Sequence, residues 1–377
     1  MTVLEITYAN LTSIPARWGN ALATLAGVAA VICVLASTTM MSRSLQTTVE
    51  NSHRENWGII VREGAVVESM SSIPRSSFDT LSTFPALAET RLIPHFVTNV
   101  TKPRIENPTI SSSVLVRGIP ASYPAPPLNS GRLPASGRHE LIVGRWATEA
   151  FTDLADGGEV LLNGVTWVIV GTFDAPGTAA SELRADLTSL MDTFKSTSIS
   201  SIRVDLTNHS VDELKDAIAS DKRLRLDLHM EADFFAVGTS AVLFSIIATS
   251  VSAIMALGAV IAAISLMFAS IEIRKYEIAT LRAIGFSAPA IGTALMAEAI
   301  VLCLAGGALG LAFASLLFGG TTYTSGHMSS IVTPVLLTSD VAIQALIWSL
   351  LLGVTAGIFP AITASRRSVV EGLRWEG

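Results

Sequence analysis

Four apolar stretches, one near the start and three crowded together at the end, constrain this 377-residue chain more than any other feature. They run from about Ala21 to Met41, Gly238 to Ser270, Ala288 to Phe318 and Val341 to Ala364. A bilayer core about 30 Å thick takes roughly 20 apolar residues of helix. Each stretch reaches that length, and Glu298 is the one charge inside any of them. Residues 42–237, between the first and second stretches, are too many and too polar for a loop. The expected fold class is an α-helical membrane protein with four transmembrane helices, one plus three, and an inserted mixed α/β extracytoplasmic domain. Its expected segments are an N-terminus (1–20), helix (21–41), outer domain (42–237) and helix with stalk (238–270). A cytoplasmic segment (271–287), helix (288–318), short external loop (319–340), helix (341–364) and tail (365–377) complete the chain.

Composition agrees with a membrane protein: 50% of residues are hydrophobic and 15% charged. Residues 42–237 hold 18 of the 25 Lys/Arg and 24 of the 31 Asp/Glu, so the net charge of −6 belongs to the outer domain. An acidic domain offers no nucleic-acid surface. Its carboxylates, Asp212 and Glu213 among them, read as a solvated surface. Cys33 and Cys303 both lie in apolar stretches, which excludes a disulfide within the outer domain.

Orientation follows from the short connections. Gly319–Asp340 carries no Lys or Arg, whereas Arg274, Lys275 and Arg282 follow the second stretch and Arg366, Arg367 and Arg374 follow the fourth. The positive-inside rule puts those basic segments in the cytoplasm. Both termini are then cytoplasmic, and the chain is a multi-pass protein of the plasma (inner) membrane. The first stretch exceeds a signal-peptide core and lacks an A-x-A site, so it reads as a retained crossing.

The outer domain reads as mixed α and β. Trp57–Val61, Val114–Val116, Leu141–Val143, Val160–Leu162 and Val165–Thr172 are short β-rich runs. Asn163–Gly164 is a two-residue hairpin signal. Ile202–Leu206 as strand, a helix capped by Ser210 with Glu213 in a capping box, and Leu224–Leu228 as strand make a β-α-β unit. The Pro-rich stretch from Pro120 to Pro134 reads as an irregular connection between two lobes. No charge occurs between Asp233 and Glu272. A continuous helix there extends about 57 Å at 1.5 Å per residue. It either stands out of the bilayer as a rod or breaks near Gly238.

No phosphate loop, H-E-x-x-H, G-x-S-x-G or metal-binding cysteine pair is present, so if the protein uses energy, something else must supply it. The informative segment is Glu272–Gly285. Read as a helix, it puts Ile271, Ile278, Leu281 and Ile284 on one side. That side serves either as an amphipathic linker in the lipid interface or as a face presented to a soluble partner, with Gly285 ending the helix.

Within this segment Glu277-Ile-Ala-Thr-Leu-Arg-Ala-Ile-Gly285 resembles the R-E-I-G-x-L-R-A-I/L-G signature of ABC-transporter permeases of the MacB/FtsX type. The resemblance continues through Glu298, Gly306-Gly-Ala-Leu-Gly310 and Pro360-Ala361…Arg366-Arg367…Val370-Glu-Gly-Leu-Arg374. Asn10-Leu11…Arg17 and Ala21–Val34 are similar to the family's first crossing. Leu141-Ile-Val-Gly-Arg…Gly157-Gly…Val168-Ile-Val-Gly171 is similar to its external core. Val369 stands where the family usually has Pro, and Tyr276 where it usually has Arg or Lys.

The resemblance implies a permease subunit, not an enzyme, that transmits the motion of a separate cytoplasmic ABC ATPase to the outer domain. Export, or extraction of a substrate from the outer side, is the implied outcome. An FtsX-like regulator that activates a cell-wall hydrolase is the alternative. The chain then binds no cofactor, and its partner hydrolyses ATP with Mg. The implied ATPase-coupling residues are Ile273, Arg274, Lys275, Tyr276, Glu277, Ile278, Leu281, Arg282, Ile284 and Gly285. Further implied partners are a second permease, as homodimer or pseudo-dimer, a periplasmic adaptor, and the lipid bilayer itself.

Glu298 is costly inside a membrane, about 2.5 kcal/mol or more, so it should face a partner or water. It is read either as a conformational or substrate contact or as a pair with a neighbouring helix. Gly306-x-x-x-Gly310, Ala308-x-x-x-Ala312 and Gly353-x-x-x-Gly357 are small-residue faces for close helix packing.

Overall fold

The computed structural model describes residues 18–52, 56–87, 90–207, 209–221, 223–238, 241–273, 275–325 and 331–366. The N-terminal Asn10, Leu11 and Arg17 and the tail residues Arg367, Val369, Val370 and Arg374 lie outside them. The chain forms two compact units. One comprises Met1–Ser42, Ser245–Gly320 and Leu336–Gly377; the other comprises Arg43–Phe244 and Thr321–Val335.

The first unit is helical. Its long elements are α1 (Trp18–Glu50), α7 (Ala241–Ile273), α9 (Ala288–Phe318) and α10 (Ser339–Arg366), with the short α8 (Lys275–Ala283) between α7 and α9. Four helices are long and apolar enough to cross a membrane, by windows at Ala21–Glu50, Thr249–Ala269, Ala288–Phe318 and Ser339–Thr363. Val28, Ile32 and Leu35 of α1 meet Cys303 of α9 and Ala345 and Leu352 of α10 in one core, against which Val260 of α7 packs.

One expectation about length changes. At 33 residues, α1 is about 50 Å long at 1.5 Å per residue, and it continues well past Met41. After the outer domain the described residues hold a short helix and α7. The first ends at Gly238 and α7 begins at Ala241, with residues 239–240 outside the described ones. At 33 residues α7 equals α1 in length, so both exceed the roughly 20 residues that a bilayer core takes.

The second unit is built on one twisted sheet. Its strands are β1 (Trp57–Arg62), β3 (Leu92–Pro103), β4 (Ser111–Ile119), β5 (Leu128–Gly131), β6 (Glu140–Gly144), β7 (Glu159–Leu162), β8 (Val165–Phe173), β9 (Leu183–Asp186), β11 (Ser201–Asp205) and β12 (Leu226–Met230). Their order is β12-β1-β11-β3-β4-β9-β6-β8-β5, with β7 paired to β8. The small β2 (Ile73–Pro74) pairs with β10 (Ser198–Ile199). Helices α2 (Arg75–Leu81), α3 (Arg145–Ala150), α4 (Leu187–Thr193), α5 (Val211–Ser220) and α6 (Glu231–Gly238) complete the unit.

Two larger apolar cores hold the sheet, and a smaller cluster sets Ile59 and Val61 of β1 against Phe234. One gathers Val114, Val143, Phe151, Trp167 and Leu183 around α3 and α4. The other gathers Ile60, Leu81, Ile202, Val204, Leu214 and Leu228 around α2 and α5. Every strand expected from the sequence is present, and Asn163 and Gly164 both take positive φ in the β7–β8 turn. The β-α-β unit is present in split form, because β1 lies between β11 and β12 and is antiparallel to both.

Three expectations are corrected. Ser210 is the N-cap of α5, but its side chain makes no cap hydrogen bond, so the capping box is not formed. The Pro-rich connection contains β5, which pairs with β8 at the sheet edge. The short external loop is an antiparallel hairpin, β13 (Thr322–Ser325) and β14 (Ile331–Pro334), that belongs to the second unit. Val332 is buried in the first core, and its N–H donates to Ser181 Oγ at 3.0 Å while its carbonyl accepts from the same hydroxyl at 3.0 Å. A buried strand needs its backbone groups paired, and Ser181 supplies both bonds.

Candidate functional site

The basic segment after α7 folds as α8. Its end is a Schellman motif: Phe286 N–H donates to Leu281 O at 3.1 Å and Gly285 N–H to Arg282 O at 3.1 Å. Gly285 has φ +108°, which only glycine adopts without strain, so it ends the helix as expected. Leu281 and Phe286, the hydrophobic pair that accompanies this motif, pack against Ile271, Ile278, Ile291 and Leu295.

That cluster corrects the reading of the apolar side. Ile278 is buried and Leu281 half-buried against α9, so neither is free to meet a soluble partner. Ile284 falls off the stripe, because the helix has ended, and is 72% exposed. Tyr276, Glu277 and Thr280 are exposed beside it and Arg282 is half-buried. Arg274 lies outside the described residues, as do the side chains of Ile273 and Lys275.

Within the helical unit, Glu298 is buried on the inner side of α9 with Ala294, Leu295, Ala299 and Leu302. The small-residue faces have definite partners. A Cβ at Gly306 would stand 3.0 Å from Val28 and 3.1 Å from Leu25 O, and one at Gly310 would overlap Ala29 O. Both therefore seat α1 on α9. Gly353 and Gly357 seat α10 on α9, against Ile300 Cα at 2.8 Å and Ala299 Cβ at 3.2 Å. Gly307, not anticipated, leaves room for the buried Ser349 hydroxyl of α10.

The outer unit holds a buried ionic cluster. Arg117 on β4 donates from both terminal nitrogens to Glu68, at 3.0 and 2.9 Å, and from Nε to Glu182 at 2.8 Å. Arg203 on β11 bonds Glu68 at 3.0 Å and also Glu231, the first residue of α6. Arg184 on β9 bonds Glu182 at 2.9 Å through Nη2 and at 3.0 Å through Nε. All six residues are buried, so three arginines balance three carboxylates. The outer carboxylates are therefore not all solvated, as residue type alone suggested.

His95 on β3 completes the cluster. Its Nδ1 lies 3.3 Å from Arg117 Nη1, a permanent donor, so Nδ1 accepts and the ring proton sits on Nε2. Burial, followed by the charges of Arg117 and Arg203, holds the imidazole well below its ordinary pKa and keeps it neutral. Burial alone would raise the Glu68 carboxyl, but Arg117 and Arg203 outweigh it and hold the group well below the carboxylate range.

Residues 18–221 match the MacB-like periplasmic core domain, and residues 234–369 match the FtsX-like permease C-terminal family. The chain belongs to the MacB/FtsX-type ABC permeases. It is 26% identical over 262 residues to the uncharacterized ABC transporter permease YknZ of Bacillus subtilis, covering 64% of this chain and 63% of that protein. It is 26% identical over 247 residues to the macrolide export ATP-binding/permease protein MacB of Nitrobacter winogradskyi, covering 60% of this chain but only 37% of that longer protein. Among solved structures it resembles the extracellular domain of the noncanonic ABC-type transporter YknZ, with TM-score 0.34, 15% identity and coverage of 46% of this chain and 100% of that one.

Membership and the four apolar helices make the permease a multi-pass membrane protein. Its sequence revealed where α8 ends but not which way it turns. The ionic cluster escaped entirely, because its members come from separate segments between residues 68 and 231 that only the sheet brings together.

Proposed function

We propose that this permease crosses the membrane four times with both termini in the cytoplasm, and that it carries the motion of a separate cytoplasmic ATPase to its outer domain. The family match over both halves of the chain carries this reading. The basic residues Lys275 and Arg282 favour a cytoplasmic α8, and the exposed patch of Tyr276, Glu277, Thr280 and Ile284 offers a partner an apolar point beside polar groups. The similarity to macrolide export ATP-binding/permease proteins favours export over regulation of a hydrolase. A second copy of the permease completes the assembly in this reading.

The exposed end of α8 provides the test. Ile284→Asp should reduce co-purification of the cognate ATPase at least tenfold while leaving the permease monodisperse, because the side chain is 72% exposed. Leu281→Asp should instead destabilise the permease itself. Full ATPase binding by well-folded Ile284→Asp would remove the docking surface from this helix.

A further inference from the structure

The chain passes between its helical and outer units through α1, through α6 and α7, and through the hairpin that joins α9 to α10. Two of these passages meet on one short 3-10 turn of the outer unit, Gly177–Ser181, just before β9. At the first end of the turn, α1 arrives. Ser52, two residues beyond α1, accepts from the Thr178 N–H at 2.8 Å and donates its own hydroxyl to Thr48 O at 2.6 Å. Gly177 has φ +67°, and a Cβ there would stand 2.5 Å from Ser52 Cα, so backbone lies directly on backbone. At the other end, Ser181 holds Val332 of β14 through its two hydrogen bonds. That hairpin is closed at its base by Val335 N–H to Thr321 O at 2.8 Å. Residues 319–321 and 335–338 are all that separate it from α9 and α10.

The turn is also fixed from within. Ala180 and Ser181 are buried. Gly144, at the end of β6, lies so close to the Ala180 carbonyl that a Cβ would overlap it, and its N–H donates to Glu182 O at 2.9 Å. Glu182, the next residue, bonds Arg117 and Arg184, and β9 lies between β4 and β6 inside the sheet. Close-packed backbone transmits strain because it has no rotamers in which to absorb it. A displacement of the turn therefore reaches the middle of the sheet. The remaining passage, through α6 and α7, follows β12, an edge strand.

We propose that Gly177–Ser181 is the joint at which the outer domain takes up movement of α1, α9 and α10. Ser52, Gly177 and Ser181 are its positioning residues, and they act through the backbone that they hold together. The joint rests on the reading that a separate ATPase moves these helices, and it adds where that motion enters the outer domain. Contiguity alone does not establish coupling between distant sites, so the experiment must read a response to nucleotide.

The test follows hydrogen–deuterium exchange by mass spectrometry in the full permease–ATPase complex in lipid nanodiscs, with and without a non-hydrolysable ATP analogue. In the wild type the analogue should change exchange both in α8 and in residues 174–186. Ser52→Ala loosens the α1 side of the joint, and Ser181→Ala loosens the hairpin side. Each should cut the change at 174–186 at least twofold while leaving that in α8 intact. Gly177→Ala should do the same. Gly137→Ala, at φ +75° in open space, should not, which separates the displaced contact from backbone strain. If Gly177→Ala does not fold, the two serine variants decide the question. An undiminished change at 174–186 in either serine variant would overturn the joint. So would a wild type that responds in α8 but not at 174–186, with ATPase docking left standing. No response in either place, from a complex that holds its ATPase, would remove the coupling reading and the joint together.

Discussion

The helical unit and the outer unit of this permease bury opposite chemistry. The helical unit brings backbones together at glycines: Gly306 and Gly310 receive α1, and Gly353 and Gly357 receive α10. The outer unit buries three arginines and three glutamates beside its sheet. The difference follows from the solvent. Lipid tails are as apolar as leucine, so helices gain by fitting closely rather than by hiding greasy surface. In a water-facing domain the apolar cores supply the driving force, and buried charge survives only when fully paired.

The largest expected effect breaks the pairing. Glu68 accepts from Arg117 and Arg203 and takes a 2.5 Å bond from Ser201 Oγ. Glu68→Ala leaves both guanidinium groups undercompensated in a buried site and should cost about 3–5 kcal/mol. Denaturant unfolding followed by Trp167, which is fully buried in the same unit, reads that loss. A cost below about 1 kcal/mol, the range of exposed ion pairs, would mean that water reaches the cluster.

The matching experiment in the helical unit replaces Gly310. Its missing side chain leaves space for Ala29 O and for Cys33 N at 3.0 Å, both backbone atoms that cannot swing aside. Gly310→Val should therefore cost about 1–3 kcal/mol, the usual penalty for overpacking. Gly258, whose Cβ would meet nothing within 4 Å, is the internal control. Equal effects at the two glycines would show that helix propensity, not close approach, sets the cost.

These two regions also differed in how far the sequence revealed them. Apolar runs of membrane length are local signals, and a Gly-x-x-x-Gly repeat marks one helical face, so α9 was bounded at Ala288 and Phe318 from composition alone. The α8 stripe was visible too, but an amphipathic pattern does not say what covers it. Here Ile291 and Leu295 of the same chain do. The ionic cluster leaves no local trace. Arg203 and Glu68 are 135 residues apart, and an arginine alternating with Ile202 and Val204 reads as the wet face of a strand. In β11 both faces are buried, one apolar and one ionic. Strand β3 was missed for a related reason: Pro94 and Pro103 disguise a run in which Ile93, His95 and Val97 alternate inward.

Acidification probes the cluster without mutation. His95 must stay neutral when folded, since its pKa is held well below 6.5, whereas the unfolded chain protonates it near that value. For such a group the stabilisation is complete above pH 6.5 and is lost as pH falls. Stability should drop by about 1.4 kcal/mol per pH unit once the unfolded imidazole is charged. His95→Gln should flatten the slope between pH 6 and 5. The Glu68 carboxyl, held far below the usual range by Arg117 and Arg203, adds its own loss only below pH 4.5.

The smallest expected effect tests whether charge or burial makes the cluster matter. Arg145 Nε lies 3.3 Å from Glu149, one helical turn along α3, and both side chains are close to half exposed. Water solvates the two groups nearly as well apart as together, so such pairs contribute about 0.3–0.5 kcal/mol. Arg145 also rests over the Trp146 ring at 4.8 Å and keeps that contact when its partner is removed. Glu149→Gln should therefore shift unfolding by no more than about 0.5 kcal/mol, and the shift should vanish in molar salt. A loss comparable to that of Glu68→Ala would mean that the outer unit depends on its total charge pattern rather than on the six buried groups.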